Sequence, residues 1–165
     1  MVEWFDDLRV GMRFKTESTT VSKADIVRFA SEFDPQPFHT DEEAAKDTIL
    51  GGLAASGWHT AAIAMQLVLK CKPFGRHPMF GAGVDELRWL KPVRPGDTFH
   101  LEGEVVELIP SRSKPQGVVR IKWTGYNQRG EAVYTFSPIG IVPRRPGQIA
   151  ANSASPLVGG GGFER

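Results

Sequence analysis

Residues 33–41 read Phe-Asp-Pro-Gln-Pro-Phe-His-Thr-Asp. Asp34 and His39 lie five positions apart, with Pro35 and Pro37 between them. A carboxylate and an imidazole are well suited to moving a proton near neutral pH. The prolines stiffen the backbone, so the two groups lose little freedom when held at a set distance. They argue against helix here and predict an extended, rigid turn. A pair held in this way can share one water. The same residues also suit an Asx-Pro turn followed by a surface histidine.

The flanking elements must hold that turn. Met12–Val21 is rich in Thr and alternates imperfectly, which predicts an exposed strand. Ser22 and Asp25 form a helix-start signal, and Ile26, Val27, Phe29, Ala30 and Phe33 give the helix 23–33 an apolar stripe. Thr40 is placed to cap a short acidic helix that Gly51-Gly52 ends. The stretch from Ala54 to Lys70 has several alanines, no proline and almost no charge, so it predicts a helix buried on nearly all sides. Lys70, Lys72 and Pro73 mark its end. Four strands then follow at Val84–Val93, Thr98–Ile109, Gly117–Asn127 and Glu131–Val142. Phe99, Leu101, Gly103, Val105 and Glu107 share one parity of the second. A turn at Asn127–Gly130 and the short spacing predict an antiparallel meander. An antiparallel sheet wrapped around one long central apolar helix, an α+β hotdog fold, accounts for this order. Its open edges and wide outer face predict a homodimer or higher homo-oligomer.

Composition narrows the function classes. The chain has 165 residues, which suits one domain over 1–142 followed by a Gly/Pro/Ser-rich, flexible tail over 143–165. Twenty Lys and Arg against nineteen Asp and Glu leave a net charge of +1, which argues against a nucleic-acid-binding surface. The single cysteine, Cys71, precludes an intramolecular disulfide and the usual thiolate zinc sites. Neither a signal peptide nor a membrane span is expected, so the chain reads as cytoplasmic. No metal, flavin or nicotinamide site is suggested. Arg144, Arg145, Arg112 and Lys114 suit either solvation or phosphate contact. Trp58, Trp89 and Trp123 suit a core or an interface.

The turn resembles the hydratase signature of MaoC-like dehydratases, which include the (R)-specific enoyl-CoA hydratases. That signature runs roughly Gly-Asp-x-Asn-Pro-x-His-x-Asp. Asp34, Pro37, His39 and Asp41 match it, while Phe33 and Gln36 depart from it. Ser56-Gly57 stands where the family has a His-Gly step at the start of its central helix. Leu90–Thr98 (LKPVRPGDT) resembles the family's Pro-Val-x-x-Gly-Asp segment. The resemblance spans roughly residues 10–142.

The resemblance implies that Asp34 and His39 are a catalytic pair that binds one water. The reaction it implies is reversible addition of water to a trans-2-enoyl-CoA, giving an (R)-3-hydroxyacyl-CoA. The backbone N–H of Gly57 would then bind the thioester oxygen, and glycine there would let the thioester come close. Coenzyme A or an acyl carrier would enter as part of the substrate, with no further cofactor. Ser56 and His59 are expected in supporting roles, and Phe38 and Trp58 against the substrate. The serine that some members carry further along the helix aligns with Met65. Two alternatives share the scaffold: an acyl-CoA thioesterase, and a hotdog subunit that binds acyl thioesters without turnover.

Overall fold

The computed structural model describes residues 2–147. A helical turn, Phe5–Asp7, leads into two short strands, β1 (Arg13–Lys15) and β2 (Thr19–Thr20). Helix α1 (Lys23–Phe33) begins as its sequence predicts. The Ser22 hydroxyl accepts the Asp25 N–H at 3.1 Å and donates to the Asp25 carboxylate at 2.6 Å. Its apolar stripe buries Ile26 and Ala30. Asp34 closes the helix, donating its N–H to the Ala30 carbonyl at 2.9 Å.

The proline-rich turn is not extended throughout. Pro37 opens a four-residue helical turn, α2 (Pro37–Thr40), which carries Phe38 and His39. Proline is tolerated at a first helical position because that N–H has no intrahelical partner to lose. The cap of α3 (Glu42–Lys46) also differs from expectation. Asp41, not Thr40, accepts the N–H groups of Glu43 and Ala44, at 2.9 and 3.0 Å. The Thr40 hydroxyl turns back to the Gln36 carbonyl.

Helix α4 (Gly57–Cys71) starts three residues later than its composition suggests. Ser56 caps it, accepting the Trp58 N–H at 3.2 Å. Thr60, Ala64, Leu67 and Val68 face inward. Trp58, Met65 and Leu69 face outward, so the helix is buried on part of its circumference rather than on nearly all of it. Lys72, in a left-handed conformation, and Pro73 end it.

Four long strands complete the sheet: β3 (Phe80–Trp89), β4 (Thr98–Pro110), β5 (Gln116–Asn127) and β6 (Ala132–Pro143). All pairings are antiparallel, in the order β1-β4-β5-β6-β3, with β2 also on β4. The meander therefore holds for β4–β6 only. β3 pairs with β6 and occupies the far edge, a crossover that alternation within a strand does not encode. A register shift between Val105 and Glu107 breaks the expected parity. Glu107 is drawn into an ion pair with Arg120 at 3.1 Å. The inner sheet face (Phe99, Leu101, Val105, Ile121, Trp123) and the inner face of α4 close one core.

β6 runs through Pro143, and the Arg144 guanidinium grips the Asp6 carboxylate at 2.7 Å. Arg145 pairs with Asp7. These two arginines are thus engaged by the N-terminal segment. The rest of the expected tail, 148–165, lies outside the described residues. Among the described residues, no helix is long and apolar enough to cross a membrane.

Candidate active site

Asp34 sits where α1 ends and His39 lies on α2, so the two-proline turn folds one back toward the other. His39 is buried, with 6% of its surface exposed. Its Nε2 is 3.5 Å from Asp34 Oδ2. Its Nδ1 is 2.7 Å from the Ala54 carbonyl oxygen. A carbonyl only accepts, so Nδ1 carries a hydrogen. In the neutral ring Nε2 then has its lone pair free and aimed at the Asp34 side.

The carboxylate is held at both oxygens. The Ser56 hydroxyl donates to Oδ2 at 2.6 Å, and the Gln36 side-chain amide donates to Oδ1 at 2.7 Å. Burial pushes the Asp34 pKa up, but the Ser56 and Gln36 hydrogen bonds, with attraction to the His39 ring when it is protonated, outweigh it, so Asp34 ends below the usual carboxylate value. Asp34 therefore stays ionised at neutral pH.

Asp34, His39, Phe38, Gly57 and Trp58 line one cavity of about 400 Å³. Ser56 reaches the same place through Asp34. Gly57 is the first residue of α4, and no partner for its N–H is found among the described residues. Met65 stands where some family members carry a serine, and the hydroxyl that meets Asp34 is that of Ser56. Met65 lies on the outward side of α4, 37% exposed, away from this cavity.

His59 is not part of the cavity. It is two positions beyond Gly57, and side chains at i and i+2 of a helix do not face each other. It stacks on Phe29 with ring centroids 4.7 Å apart and planes at 10°, and it lines a separate depression with Asp25, Arg28 and Gln66. The helical phase of α4 carries this information in the sequence.

Other lining residues were not singled out from sequence as substrate contacts: Ile49, Leu50, Trp89, Leu90 and Val93. Trp89 is the most consequential. Its indole N–H donates to the Gly57 carbonyl at 2.8 Å, and its ring meets Trp58 edge to face at 5.3 Å. A side chain at Gly57 would put its Cβ 2.5 Å from that ring. Glycine is thus required here by Trp89 itself, whatever a substrate needs. The signal in the sequence was the LKPV stretch that follows Trp89. A larger depression, about 590 Å³, lies on the outer sheet face among Arg13, Lys15, Glu102, Glu104 and Lys122. It shares no lining residue with the cavity of the acid–imidazole pair, and two of its cations are already paired with its acids. Among the described residues, no cluster of three His, Cys, Asp or Glu is placed to hold a metal ion.

The antiparallel sheet on one long helix is an α+β hotdog architecture, and known proteins agree with it. A solved MaoC-like dehydratase from Rhodospirillum rubrum superposes with a TM-score of 0.83 at 46% identity, over 87% of this chain and 98% of that one. The (R)-hydratase from Pseudomonas aeruginosa superposes at 0.69 and 25% identity, covering 86% of each chain. The 3-hydroxybutyryl-CoA dehydratase of Methylorubrum extorquens is 33% identical over 114 residues, 68% of this chain and 70% of that protein. The MaoC-like domain model matches residues 7–127. The chain belongs to the MaoC-like dehydratase family, whose members include hydratases and dehydratases. The "Uncharacterized protein YdeM" of Bacillus subtilis (strain 168) is also similar, 37% identical over 78% of this chain and 91% of its own length.

Proposed function

We propose that this protein adds water reversibly to a trans-2-enoyl thioester, giving the (R)-3-hydroxyacyl form. The observation that carries the reading is the cavity shared by the ionised Asp34, the free Nε2 of His39 and the Gly57 N–H. A water bridging Asp34 Oδ2 and His39 Nε2 is oriented by the carboxylate. His39 takes one of its protons, and the hydroxyl adds to C3 of the substrate. Negative charge then develops on the thioester oxygen, where an N–H at a helix start stabilises it. The imidazolium returns its proton at C2, so one water is consumed and the pair is restored. Asp34 steadies the imidazolium while it exists. The apolar walls from Phe38, Leu50, Trp58 and Trp89 suit an acyl chain. The coenzyme A or acyl-carrier portion enters with the substrate, and no other cofactor takes part.

The edge position of β3 supports a homodimer. Every residue of that ten-residue strand is exposed or half-exposed, Phe80 and Val84 among them. Trp58, Met65 and Leu69 of α4 are exposed as well. A long, exposed edge strand that carries large apolar side chains is normally covered. Sedimentation of the full chain as a monomer at micromolar concentration would remove the dimer from the proposal.

The test of activity is hydration of crotonyl-CoA and longer enoyl-CoAs, followed by loss of enoyl absorbance. Asp34→Asn and His39→Ala should each lower kcat by about 10²–10⁴-fold, the usual contribution of a positioned acid or base. Full activity in both variants would reject the reading.

A further inference from the structure

The LKPVRPGDT segment contributes more than cavity wall. We infer that Arg94 is a positioning residue for His39, acting through the carbonyl of Ala54; the inference rests on the catalytic role proposed for His39. The Arg94 guanidinium gathers three backbone carbonyls of the loop that precedes α4. Nη1 donates to Gly52 at 2.6 Å and to Leu53 at 3.3 Å, and Nη2 donates to Leu50. The bend of this loop uses backbone conformations that favour glycine. Gly51 and Gly52 have φ of +61° and +150°, and a Cβ on Gly52 would lie 3.4 Å from Nη1.

The next residue in the loop is Ala54. Its N–H donates to the Phe38 carbonyl at 3.1 Å, and its carbonyl accepts the His39 Nδ1 hydrogen at 2.7 Å. Ala55 donates to the Val93 carbonyl at 2.8 Å, next to Arg94 in the chain. The loop is thus held on both sides of the one oxygen that selects the His39 tautomer. Arg94 is itself fixed. Its own N–H donates to the Asp97 carboxylate at 2.8 Å, Asp97 returns its N–H to the Arg94 carbonyl, and Gln128 clamps the other Asp97 oxygen at 2.6 Å. Asp97 is buried.

A planar guanidinium can collect several carbonyls at once, whereas an ammonium cannot match that fork. Without the guanidinium, nothing else described holds the carbonyls of Leu50, Gly52 and Leu53 together. Loosening the loop moves the Ala54 oxygen, and with it the ring that must keep Nε2 toward Asp34. Misplacing a catalytic group by about 1 Å can lower a rate by roughly 10²-fold.

The experiment compares the full-length wild type with Arg94→Met and Arg94→Lys. Two readouts are used: steady-state hydration of crotonyl-CoA, and the ¹⁵N shifts of the His39 ring in labelled protein. Arg94→Met should lower kcat by about 10–100-fold with little change in KM. The His39 ring should change from the Nδ1–H form to a tautomer mixture. Arg94→Lys should recover part of both. Wild-type kcat together with an unchanged His39 tautomer in a folded Arg94→Met would overturn the inference. If Arg94→Met does not fold, Arg94→Lys decides by the same two readouts. If the wild type hydrates no enoyl-CoA, the proposed reaction fails, yet the tautomer readout still judges Arg94.

Discussion

His39 and His59 are nearly equally buried, at 6% and 5% exposure, yet their surroundings differ in kind. His39 has a carbonyl on one ring nitrogen and a carboxylate near the other. His59 lies flat on Phe29, and its Nδ1 has no hydrogen-bond partner among the described residues. Burial pushes the His59 pKa down; Asp25 partly opposes this and Arg28 adds to it. Burial alone therefore does not distinguish the two rings. What matters is which atoms meet the two ring nitrogens and whether a substrate-sized space adjoins them.

The strongest challenge to this contrast is mutation of both rings. His39→Ala should lose about 10²–10⁴ in kcat. His59→Leu should leave kcat/KM unchanged and thermal stability equal or higher, because it removes a buried unpaired polar atom. A comparable loss of activity from both, measured on crotonyl-CoA, would erase the distinction. A smaller effect is expected at Ser56, which serves the helix and the carboxylate together. Ser56→Ala should lower kcat by about tenfold, through loss of one hydrogen bond to a charged group. It should also lower unfolding stability by about 1 kcal/mol through loss of the cap. Chemical denaturation and initial rates read the two separately.

The smallest effect sharpens the comparison through pH. His59 has a folded pKa below its usual 6.5, so the unfolded chain binds the proton more readily. Its neutral form contributes stability that is present above 6.5 and is lost as pH falls toward the folded value. Asp34 contributes in the same direction, but in a lower window, below the usual carboxylate value of 3.8. Denaturation midpoints between about pH 7 and pH 5 should fall less in His59→Leu than in the wild type. An identical slope in both proteins would remove His59 as the source.

Much of this molecule was legible in its residues. Ser22 and Asp25 set the start of α1, the gap between Asn127 and Gly130 set a hairpin, and the alternation of β4 and β5 set their inner faces. The two prolines between Asp34 and His39 marked a stiff turn, and the structure brings the two side chains within 3.5 Å of each other; the proton-moving role came from the resemblance to the MaoC-like signature. Less legible was the helical turn at Pro37, since proline reads as a breaker unless it falls at a first helical position. His59 shares no wall with the Asp34 cavity, because its place on α4 turns it onto Phe29.

The linear chain determined which groups could do chemistry, where helices begin and which strand faces are apolar, because those follow from spacing and local hydrogen bonding. Tertiary structure alone decided that β3 crosses to the edge beside β6, that Trp89 lies over Gly57, and that Ser56 and Ala54 meet Asp34 and His39. Those contacts join residues 15 to 32 positions apart or whole strands. They depend on how the core packs as a unit, and no local pattern of residue types specifies that.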